Sequence, residues 1–130
     1  MNYTTHRKLA EVGGSLIFVS GIINALLGVK IGALFYEVYP GGYFGHVGIL
    51  AGIGAILIGL IIMLGIVRIY ESKNRWYILS GGLLTIVVGH IGGIAGAIYV
   101  GTVGVLLCYI TGLWLIIDVM IKEIKERKLV

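Results

Sequence analysis

The sequence predicts an all-α integral membrane protein, a four-transmembrane-helix bundle made of two similar helical hairpins. Three observations predict it. Residues 76–117 carry no Lys, Arg, Asp or Glu, 42 consecutive positions. A spanning helix needs about 20 apolar residues, so this run is long enough to cross, turn and cross back. Two further uncharged stretches, 12–29 and 46–67, precede it. Hydrophobic residues make up 58% of the 130-residue chain, and mean hydropathy is +1.04. Four spans with their turns use nearly all of that length, so residues 1–130 read as a single membrane domain.

The elements follow in order. The segment through Lys8 is short and basic and precedes an apolar stretch. A signal peptide has that outline, but its apolar region is about 7–15 residues. The longer run here reads as a retained first span over 12–34, with Lys30 able to snorkel to the headgroups. The connection 31–45 carries Phe35, Tyr36, Tyr39, Tyr43 and Phe44 around Pro40-Gly41-Gly42 and reads as an interfacial aromatic loop. The second span covers 46–70. Asn74 is placed to cap the third span, 75–91, because its side chain accepts from free backbone N–H groups. Gly92-Gly93 reads as the turn into the fourth span, 95–121.

Nine of the ten basic residues fall on one side of these spans, at Arg7, Lys8, Arg68, Lys73, Arg75, Lys122, Lys125, Arg127 and Lys128, and only Lys30 on the other. The positive-inside rule then places both termini in the cytoplasm. A pI of 9.3 would suggest nucleic acid in a soluble protein. Here topology and anionic lipid headgroups account for the basic residues, and no nucleic-acid partner is expected.

Glycine is the compositional outlier, at 22 of 130 residues. Residues 13–21, GGSLIFVSG, match 81–89, GGLLTIVVG, with Gly, Gly, Leu, Val and Gly in register. Gly48, Gly52, Ala55 and Gly59 share one face of the second span. Ala97, Gly101, Gly104 and Cys108 share one face of the fourth. Small residues let membrane helices approach backbone to backbone, so these stripes predict helix packing, within the bundle or against a partner subunit.

Polar residues are few. His46 and His90 fall at similar depth near the outer face, the arrangement two axial ligands of a haem would need. Their rim position equally suits imidazoles in water contact. Glu11 and Asp118 lie near the cytoplasmic face, with Arg68, Arg75 and Lys122 in range for pairing. Within the spans, Asn24 is the costliest polar residue and is expected to hydrogen-bond across helices. Cys108 has no disulfide partner, and an apolar setting keeps its thiol inert.

No nucleophile–base pair, phosphate-binding loop or metal motif stands out. The expectation is a small non-catalytic accessory or structural subunit of a larger membrane assembly. It would have no catalytic residues, metal or cofactor, and its partners would be the bilayer and other membrane subunits. One alternative is a haem- or quinone-associated electron-transfer anchor using His46 and His90. Another is a homo-oligomeric channel or transporter.

Overall fold

The computed structural model describes the backbone of residues 3–38, 48–95 and 100–128, and the side chains of all of these except 28, 29 and 31–38. The described residues are helical apart from short flanking and connecting stretches. Helix α1 is Thr4–Val38, α2 is Ile49–Ile69, α3 is Arg75–Ala95 and α4 is Val100–Lys128. All four are long and apolar enough to cross a membrane. Helix α1 packs along both α2 and α4, and α3 packs against α4 and, over a shorter length, α2. The helices therefore stand in a square, with α1 diagonal to α3.

Each helix turns a seam of small or short polar residues inward, at alternating steps of three and four. In α1 the buried seam is His6, Ala10, Gly13, Ile17, Ser20 and Asn24. In α3 it is Ile78, Gly82, Thr85, Gly89 and Gly92, and in α4 Gly101, Gly104, Cys108, Thr111 and Leu115. Such a seven-residue repeat keeps one face toward the neighbours along the length of a helix. The glycines set the spacing between helices. A Cβ built on Gly21 would lie 2.6 Å from the Gly52 carbonyl oxygen, and one on Gly59 2.7 Å from that of Gly14. On the other sides of the square, a Cβ on Gly104 would meet the Gly13 oxygen at 2.5 Å, and one on Gly112 the Gly82 oxygen at 2.6 Å.

Helix α2 departs from this pattern once. Its seam runs Gly52, Ala55, Gly59, Ile62 and Ile66, and Ile62–Ile66 is a π-helical turn. A π turn inserts one residue. The inward position that regular spacing would give Ile69 passes to Tyr70, which is buried. Its hydroxyl meets Thr85 Oγ1 in the core. Thr85 Oγ1 donates to the Gly81 carbonyl at 2.8 Å, so the tyrosine is the donor to Thr85.

Several boundaries differ from those read in the sequence. Helix α1 begins at Thr4, eight residues before the expected span, because nothing in 4–11 breaks a helix; Arg7 and Lys8 only make it polar. It also continues through Phe35 and Tyr36 to Val38, where a loop was expected, since the first helix breaker in the sequence is Pro40. The rest of that aromatic segment lies outside the described residues. Gly92-Gly93 is not a turn. Helix α3 passes through it to Ala95, and Gly92 is buried with Ile58 and Ile17 against it. Glycine costs an isolated helix about 1 kcal/mol, but between helices it permits close approach. Asn74 caps α3 as its sequence position suggests, its Oδ1 accepting from the Trp76 N–H at 3.0 Å.

Candidate functional site

The described charged side chains, Lys30 apart, gather at the end that carries Tyr3 and Lys128. Starting α1 at Thr4 places His6 in its first turn and on the buried seam. Asp118 lies on the α4 seam, one step beyond Leu115. The two meet across 112 residues of sequence, with His6 Nε2 2.8 Å from Asp118 Oδ2. The His6 side chain is 8% exposed. It lies between Trp114, whose ring centroid is 4.3 Å away, and Tyr3, at 5.4 Å and close to edge-on. Asp118 is partly open to the rim. His6 Nδ1 is buried and has no hydrogen-bond partner among the described residues. The pair is thus joined by one imidazole–carboxylate hydrogen bond through Nε2.

Around this pair runs an ionic lattice. Arg7 Nε donates to Glu11 Oε1 at 3.0 Å, one turn along α1, and Arg7 also pairs with Glu71 beyond the end of α2. Arg75, the first residue of α3, pairs with Glu123 and Glu126 of α4, and Arg127 closes on Glu123 at 2.8 Å. Exposed pairs of this kind are individually weak. Their value is geometric, since they join α1 to the connection after α2 and α3 to α4 at one end of the square.

These partnerships correct the expected ones. Glu11 was expected to pair with Arg68, Arg75 or Lys122, but its partner is Arg7, because helix through residues 7–11 sets the two one turn apart. Asp118 pairs with His6 and not with Arg68, Arg75 or Lys122. Sequence reading singled out neither His6, Tyr3 nor Trp114. The signal was present: the three-four spacing of Ala10, Gly13 and Ile17, continued backwards, lands on His6. Arg7 and Lys8 masked it by making the segment look like a solvated tail.

The other expected site residues are dispersed. His90 is exposed on α3, and its Nδ1 hydrogen-bonds the Tyr109 hydroxyl of α4. His46 lies outside the described residues. Gly52, Ala55 and Gly59 are buried on the α1-facing side of α2, and Gly101 and Gly104 are buried on α4. Gly48 is not part of that packing stripe. It precedes α2 at φ 119°, a conformation that favours glycine, and among the described residues an added Cβ would touch nothing within 4 Å. Its N–H donates to Asn24 Oδ1 at 3.0 Å, the cross-helix bond expected of that asparagine. Ala97 lies outside the described residues. Among the described residues no cluster of three or more His, Cys, Asp or Glu could hold a metal ion.

No protein family, curated protein or solved structure matches the chain.

Proposed function

We propose that the chain is a membrane-embedded, non-catalytic accessory or structural subunit, with both termini and the His6–Asp118 end in the cytoplasm. The observation that carries membrane insertion is the reversal of the usual polarity. Large aliphatics such as Leu26, Leu50, Leu57, Leu64, Val103 and Leu106 point outward, while Gly, Ala, Ser and Thr take much of the interior beside Ile17, Ile62 and Leu115. In water that distribution would aggregate; in lipid it is the expected one. The nine-to-one placement of basic residues supports the orientation.

Two features support a structural role over a conducting one. The seams between helices are closed by backbone-to-backbone contact at Gly21–Gly52, Gly14–Gly59, Gly13–Gly104 and Gly82–Gly112. In addition, α4 has 29 residues, about 43 Å of helix at 1.5 Å per residue, more than a bilayer core of about 30 Å. Its last turns would stand in the headgroup region and beyond, joined to α3 by Arg75 and offering Lys125 and Lys128 to a partner. The two-hairpin reading is supported by equivalent close approaches, Gly14 with Gly59 and Gly82 with Gly112. The sequence match aligns Gly59 with Cys108, so the second hairpin crosses one turn further along.

One observation favours the electron-transfer alternative. A ligating imidazole donates its other ring N–H to a fixed acceptor, and the Tyr109 hydroxyl oxygen is placed to accept from His90 Nδ1. Mild-detergent extraction from native membranes separates the readings. A colourless chain in fixed stoichiometry with another membrane subunit is the expected result. A Soret band lost on His90→Ala would replace this reading with the redox anchor. Ion flux from the pure chain in liposomes would replace it with the channel.

A further inference from the structure

Beside the ionic lattice, at the same end of the square, lies a polar pocket of about 340 Å³. Its walls include Tyr3 ahead of α1, Glu71, Ser72 and Lys73 between α2 and α3, Arg75 at the start of α3, and Lys122 of α4. The charges in it do not cancel. Glu71 is taken by Arg7, and Arg75 is held by Glu123 and Glu126. Lys73 and Lys122 line the pocket from different elements, and neither has an ion-pair partner among the described residues. The wider setting has the same sign. Nine basic residues and five acidic ones, Glu11, Glu71, Asp118, Glu123 and Glu126, lie at this end, a net +4.

We propose that this pocket binds a phosphoryl group, as an anionic lipid headgroup or as free phosphate. A lysine ammonium is a point charge with three donors and suits phosphoryl oxygens without the planar match that a carboxylate makes with arginine. Lys73 and Lys122 supply the charge, and Ser72 and Tyr3 add hydroxyl donors. Burial lifts the Tyr3 phenol above its ordinary range; Arg75 opposes this, and Asp118 and Glu126 add to it. The phenol therefore keeps its proton and donates. Glu71 does not spoil the site, because Arg7 holds its carboxylate. Tyr3 also touches the His6 ring, so an occupied pocket would brace the segment that carries the His6–Asp118 pair.

The site differs from the general attraction of basic residues to an anionic membrane, and the experiment uses that difference. The full chain is placed in phosphatidylcholine nanodiscs and its thermal midpoint followed in two titrations. One adds inorganic phosphate against chloride at equal ionic strength. The other raises the mole fraction of phosphatidic acid. Lys73→Ala/Lys122→Ala is compared with Lys125→Ala/Lys128→Ala, which removes the same charge from the same end outside the pocket. Stabilisation by one or both probes is expected, weakened about tenfold in the pocket variant and less than twofold in the control. Saturation by phosphate alone assigns a soluble phosphoryl ligand, and a response to the lipid alone assigns a headgroup. The proposal is overturned if neither probe stabilises the protein, if the pocket variant responds as wild type does, or if both variants weaken equally.

Discussion

Gly52→Ala is expected to force α1 and α2 apart. The added methyl carbon would sit 2.5 Å from the Gly21 carbonyl oxygen, 2.5 Å from the Ala25 nitrogen and 2.7 Å from the Ala25 Cα. All three are backbone atoms, so no rotamer change relieves the clash and the helices themselves must shift. Overpacking in a closed core costs about 1–3 kcal/mol, and rigid neighbours place this case at the upper end. Gly52→Leu should be worse still. Gly65→Ala on the same helix is the control, because among the described residues nothing lies within 4 Å of the added Cβ. Alanine there gains helix propensity, so stability should hold or rise slightly. Thermal unfolding in mild detergent, followed by circular dichroism, compares the two. Equal midpoints would mean that α2 does not meet α1 through Gly52.

The second large effect is at His6 and Asp118. Asp118→Ala leaves a buried imidazole with neither ring nitrogen partnered among the described residues, since Nδ1 has no partner there. His6→Ala removes the same bond and opens a gap beside Trp114. Each single change should cost about 1–3 kcal/mol, reduced from the fully buried case because Asp118 is partly exposed. The double variant should cost little more than either single one, since both remove one shared interaction. Strictly additive losses in the same unfolding assay would show that the two side chains act independently, which the 2.8 Å contact does not allow.

How much of this was legible in the sequence depended on which physical signal each residue carries. The uncharged run from 76 to 117 announces two helices, because charge inside a bilayer is expensive and its absence is easy to see. The seams at Gly52-Ala55-Gly59 and Gly101-Gly104 were visible as small residues at helical spacing. Three things were not. Gly92 looks like a turn residue because glycine weakens an isolated helix; only the neighbouring Ile17 and Ile58 reveal it as a packing position. The π turn at Ile62–Ile66 leaves no trace in residue types, so the inward swing of Tyr70 toward Thr85 could not be read. His6 was hidden by its charged neighbours, and its partner lies 112 positions away, beyond the reach of any local pattern. The polar end of the molecule was thus legible as basic and interfacial, but not as a set of paired side chains around a pocket.

The central claim is a four-span chain with both ends, and the His6–Asp118 pair, on the cytoplasmic side. Single-cysteine labelling in a Cys108→Ser background tests it most directly. Gly42→Cys, Lys73→Cys and Lys125→Cys are treated in intact cells with a membrane-impermeant maleimide, before and after permeabilisation. Position 42 is expected to label from outside, and positions 73 and 125 only once the membrane is opened. Labelling of position 42 only after permeabilisation, or of positions 42 and 125 from the same side, would contradict it.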